Sequence, residues 1–165
     1  MKKKILVIAV ALMAVAMLAP PLVGMVYAKP PTLVSGGQTV TDYSVIEDPR
    51  GESGNVVSTE TLEVAWTGDI EGVARYTGIL MVHNLPSFAI NIHEKIYFDT
   101  VTVLDKSGSL TLQVSANLAR GQDVFRWTII DGTGELANLN GNGIYWIDFA
   151  TMGYYYEGQV HFDPS

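Results

Sequence analysis

The run SLTLQVSANL at 109–118 alternates without a break. Leu110, Leu112, Val114, Ala116 and Leu118 fall on one side; Ser109, Thr111, Gln113, Ser115 and Asn117 fall on the other. Side chains of an extended chain point to opposite faces in turn, so period two means a strand with one buried and one wet face. A helix would scatter the same leucines around its circumference. Further β-rich runs occupy 61–67, 70–83, 88–104, 124–130, 144–149 and 154–162, separated by Gly, Asn and Asp. A first strand at 38–46 precedes a polar loop at 47–55. The longer runs need a bend or bulge. No segment after residue 28 keeps a long helical period. The expectation is an all-β fold, an antiparallel β-barrel of about eight strands whose closure removes unpaired edges. A two-sheet sandwich is the alternative.

The chain opens with a different pattern. Lys2, Lys3 and Lys4 precede an uncharged apolar run, and Val26-Tyr27-Ala28 offers small residues for a signal peptidase. Residues 1–28 therefore read as a secretory signal peptide. An uncleaved membrane anchor over 5–28 is the rival, since that stretch carries no charge. Either reading places the rest outside the cytoplasm, and any membrane contact is through this segment alone. Residues 29–37 (KPPTLVSGG) read as a tether, and 38–165 as the barrel domain.

Charge and cysteine content narrow the function. The net charge is −7, and removal of the three lysines makes it more negative. An acidic surface repels phosphate backbones, so nucleic acid is not an expected partner. Without cysteine the fold has no disulfide and no thiolate chemistry. Stability must come from a packed core, which a chain of this length can bury.

One stretch invites a nucleotide reading. Gly132-Thr-Gly134-Glu-Leu-Ala137 fits the loose G-x-G-x-x-G/A fingerprint and follows the strand at 124–130. That fingerprint needs a helix directly after the glycines, whose N-terminus holds the pyrophosphate. Only 135–139 could be helical before Asn140-Gly141-Asn142-Gly143, and one turn does not suffice. No Lys follows, so a P-loop is excluded as well. No cofactor is expected. The stretch reads instead as a barrel corner, with Leu136 and Leu139 pointing into the barrel end and 140–143 turning the chain back.

The segments GSLTLQVSA at 108–116 and WTIIDGTGELANLNGNG at 127–143 resemble a family of small bacterial and archaeal proteins of unknown function. In that family a Gly-Ser-hydrophobic strand is followed by a Trp-containing strand and a Gly-Thr-Gly-Glu-Leu corner. The match covers 94–145. It is related in fold to the allene oxide cyclase and dirigent barrels. The resemblance implies an eight-stranded antiparallel barrel, with a trimeric homo-oligomer as in better-studied relatives, and supplies no activity.

Glu94 is the candidate catalytic residue. It falls in the middle of the apolar face made by Phe88, Ile90, Ile92, Ile96 and Phe98. A carboxylate there must be paired, hydrogen-bonded or raised in pKa, and a raised carboxyl is what proton transfer uses. The structural alternatives are a backbone bond, a pair with Arg126, or a bulge that exposes it. Arg126 alternates away from Phe125, Trp127 and Ile129, which argues against that pair. Trp127, Trp146, Tyr154 and Tyr156 are candidate ligand-binding residues, with cross-strand packing as the plainer role. Asp148 lies on the Ile144–Trp146 face, opposite Tyr145 and Ile147; both faces are apolar, so one lines the interior or an interface. His83, His93 and His161 show no metal-ligand spacing, so no metal is expected. No G-x-S-x-G elbow occurs.

Three functions stay open. A non-catalytic module would hold a small apolar ligand in the barrel mouth. A cyclase- or isomerase-type enzyme would use Glu94 in an accessible cavity. A structural envelope protein would assemble through its tyrosine-rich face.

Overall fold

Alternation carries directly into three dimensions. A computed structural model describes residues 30–48, 56–82, 90–118, 124–148, 150–151 and 153–164. Eight strands follow one another: β1 (Thr32–Asp48), β2 (Val56–Gly68), β3 (Ile70–Val82), β4 (Ile90–Val103), β5 (Lys106–Leu118), β6 (Val124–Gly132), β7 (Leu139–Asp148) and β8 (Gly153–Phe162). Each pairs antiparallel with its sequence neighbour, and β1 closes on β8, giving a closed barrel rather than a sandwich. In β5, Leu110, Leu112 and Val114 are fully buried. Each contributes about 2 kcal/mol by leaving water.

Register shifts occur at Val40/Asp42, Gly72/Ala74, Phe98/Val101 and Thr111/Leu112. They bend the long strands around the barrel. The β4 bulge lies beyond Phe98, so the alternation through Ile92, Glu94 and Ile96 is unbroken and all three face inward.

Two boundaries differ from the sequence reading. Residues 32–37, expected as tether, form the first part of β1 and pair with β8 from Thr32↔Val160 to Gly37↔Tyr155. Gly36 is there for close approach: a Cβ would run into the Thr67 carbonyl and the Tyr156 hydroxyl. Residues 140–143, expected as a turn, belong to β7 and pair with β8. A Cβ at Gly143 would strike the Trp127 ring. Gly143 makes room for an indole rather than reversing the chain. Lys29, residues 1–28, His83 and Phe88 lie outside the described residues.

The corner itself closes one end of the barrel. Gly134 adopts φ +65°, which favours glycine, and leads into a 3-10 turn, Gly134–Leu136. Leu136 is fully buried and Leu139 is 4% exposed. The corner is tied to β5: Thr133 N–H donates to Ser109 O at 3.1 Å, and Ser107 N–H donates to Glu135 Oε2 at 3.1 Å. The β2–β3, β4–β5 and β6–β7 connections share this end.

Candidate functional site

Toward its other end the interior is not filled by the described residues. A cavity of about 450 Å³ lies between β1, β2, β3, β4, β6, β7 and β8, toward the end opposite the corner. Apolar wall comes from Leu62, Ile92, Phe125 and Ile147; the polar groups are Gln38, Glu60, Glu94 and four tyrosines.

Glu94 is the most enclosed carboxyl there, at 7% exposure. Its side chain lies across β3 at Gly78, where a Cβ would collide with its Cγ. Its own carbonyl accepts from Gln113 Nε2 at 2.9 Å, which fixes the backbone. Tyr145 donates its hydroxyl to Glu94 Oε2 at 3.2 Å. Tyr145 is in turn stacked on Phe125, with centroids 4.4 Å apart and planes at 7°. Burial pushes the Glu94 pKa up to about 7; the Tyr145 bond opposes this and the nearby Glu60 charge adds to it. Burial also holds Glu60 above the usual carboxylate range, against a hydrogen bond from Tyr43. A carboxyl poised near neutrality beside a phenol can hold or release a proton.

A second polar group faces the same space. Trp66 Nε1 donates to the Tyr76 hydroxyl at 2.9 Å, and that hydroxyl donates to Gln38 Oε1 at 3.3 Å. Gln38 and Tyr76 are both buried.

The remaining candidates scatter. Tyr154 lies on the cavity wall. Trp127 faces inward but is packed over Gly143 and Gly158, its Nε1 donating to Ile144 O at 3.2 Å. Tyr156 is buried at the closed end, where its hydroxyl accepts from Ile70 N–H at 2.7 Å. Trp146 points outward against Tyr155. The structure thus brings Glu94 and Tyr154 to one cavity and leaves Trp127, Tyr156 and Trp146 off its wall. Arg126 is exposed, away from Glu94. Asp148 is spent on the β7–β8 turn, accepting from Ala150 N–H and Thr151 Oγ1 at 2.9 Å. His93 is exposed on β4, and His161 sits 3.3 Å from Asp163. Among the described residues no three His, Asp or Glu side chains converge as a metal site would need.

Sequence reasoning passed over Gln38, Glu60, Tyr76 and Tyr145. Glu60 could have been found: it alternates in phase with Leu62, Val64 and Trp66. Tyr145 is in phase with Ile147 on the inner face. Nothing in the sequence marks the Trp66–Tyr76–Gln38 chain.

Fold and cavity together define a closed eight-stranded antiparallel barrel, sealed at one end and hollow toward the other. The chain belongs to the family described as "Protein of unknown function (DUF3224)", which matches residues 34–157. A DUF3224 protein of unknown function from Shewanella oneidensis MR-1 has a similar structure, with TM-score 0.65 and 20% identity. The match covers 82% of this chain and all of that one. Two pterocarpan synthase dirigent proteins also align, each at 14% identity. PsPTS1 gives TM-score 0.48 over 83% of this chain and 99% of its own; GePTS1 gives 0.45 over 88% and 96%. No curated protein matches the chain.

Proposed function

We propose that this barrel is an extracytoplasmic, non-catalytic binding module that holds one small apolar molecule. The observation that carries the reading is the cavity: about 450 Å³, largely apolar and aromatic, with a few polar groups. Small-molecule sites have this size and this mixture. The signal pattern of residues 1–28 supports the location. The test is a native mass spectrum of the protein purified from its own host. A stoichiometric adduct that leaves on denaturation is expected, on a chain beginning at Lys29. The charge-state series reads whether copies associate. A clean apo mass together with failure to bind the neutral apolar dye Nile red would overturn the reading.

A second reading is favoured by Glu94. A buried carboxyl with a pKa of about 7, bonded to Tyr145 on the wall of the same cavity, suits a general acid or base. In that case Glu94→Gln abolishes conversion of the bound molecule while retaining its binding. Turnover unaffected by Glu94→Gln would remove Glu94 from the chemistry, and no turnover of the bound molecule by the wild type would leave the binding module alone.

A further inference from the structure

The hydrogen-bond chain at Gln38 constrains what the cavity takes. An indole N–H can only donate, so Tyr76 must accept from Trp66 and pass its single hydrogen onward. That hydrogen goes to Gln38 Oε1. The amide is therefore fixed with its oxygen toward Tyr76 and its nitrogen turned away. Gln38 lines the cavity and is 7% exposed, and among the described residues its buried Nε2 has no hydrogen-bond partner. A buried donor left unpaired is costly, and an acceptor brought to it removes the cost. Trp66 and Tyr76 orient the amide in advance, which lowers the cost of its meeting a ligand.

The charge of the wall decides the rest. Glu60 and Glu94 both line the cavity, and among the described residues no Lys, Arg or His does. An anion would meet two carboxyl groups and, among the described residues, no cation. A cation would suit the carboxyl groups but leave the Gln38 donor without an acceptor. We infer that the cavity selects an uncharged apolar molecule bearing an acceptor oxygen of the carbonyl type, which docks on Gln38 Nε2 with its apolar body against Leu62, Ile92 and Phe125. The inference rests on the reading that the cavity is a binding site, and adds the chemistry of its occupant.

Four probes of one skeleton test it, each displacing Nile red from the full protein: butylbenzene, benzylacetone, phenylbutyrate and phenylbutylamine. Benzylacetone is expected to bind about tenfold more tightly than butylbenzene, the worth of one buried hydrogen bond. Phenylbutyrate is expected to bind weakest. In Gln38→Met, which keeps the side-chain shape but loses the donor, benzylacetone falls level with butylbenzene. Should that variant not fold, Tyr76→Phe unlocks the amide and narrows the same gap. Equal binding of benzylacetone and butylbenzene to the wild type overturns the inference and leaves the apolar-binding reading standing. A gap that survives Gln38→Met, or a preference for phenylbutylamine, also overturns it. If neither Nile red nor any probe binds, the cavity reading itself fails.

Discussion

Glu94 answers two opposing demands, since it is held by Tyr145 and Gly78 in a place that disfavours its charge. Its pKa is about 7 in the fold, against an ordinary 4.5. Between those values the folded protein keeps a proton that the unfolded chain has lost. The stability Glu94 allows is therefore full below about pH 4.5, falls as pH rises toward 7, and is level above. The loss amounts to about 3 kcal/mol. Glu94→Gln has no such proton to lose. The variant is expected to gain on wild type by about that amount between pH 4 and pH 8, read from urea midpoints. Glu60 is raised in the same direction, so part of the wild-type slope persists in the variant. Parallel pH profiles for the two proteins would show that Glu94 is solvated. At this scale Glu94 was legible because it keeps phase with Ile92, Ile96 and Phe98. The Gln38 amide was not, because its partner Tyr76 comes from β3, two strands away, and is itself held by Trp66 of β2.

Among the elements, the corner and β7 show what glycine can and cannot announce. Leu136 was legible as a plug, since an apolar residue flanked by Gly134 and polar neighbours has few other uses. It is wholly buried, and Gly108 and Gly132 lie directly against it. Leu136→Ala is expected to cost about 2–5 kcal/mol, the range for a leucine cavity that its surroundings cannot collapse into. Chemical denaturation measures it, and a cost under 1 kcal/mol would mean that the end relaxes around the gap. The Asn140–Gly143 stretch misled because its composition is that of a turn. Gly141 and Gly143 stand in a strand, where Val160 and Trp127 fill the space a side chain would take. A glycine emptied for a distant ring looks, in sequence, like a glycine chosen for its backbone.

For the molecule as a whole, the strand number and the barrel were readable from period and punctuation, while the seam was not. Prolines and glycines hid the start of β1, yet Val34 is 2% exposed and the ladder to β8 begins at Thr32. A chain beginning at Pro30 is expected to unfold cooperatively. A chain beginning at Gln38 loses nearly all of the β1–β8 ladder and is expected to lose its sharp thermal transition, as followed by circular dichroism. A sharp transition in that shorter chain would restore the tether reading.

The seam also sets the order of folding. Every other ladder joins neighbours along the chain, but β1 meets β8 across almost the whole polypeptide. Local hairpins form in microseconds, whereas contacts at long sequence separation wait on the entropy of closing a large loop. Closure is then the late step. Until it is made, the Thr32–Gln38 and Tyr154–Val160 edges stand open to other chains. The half-made barrel is thus the aggregation-prone species, and crowding of newly made copies is what its cell must manage.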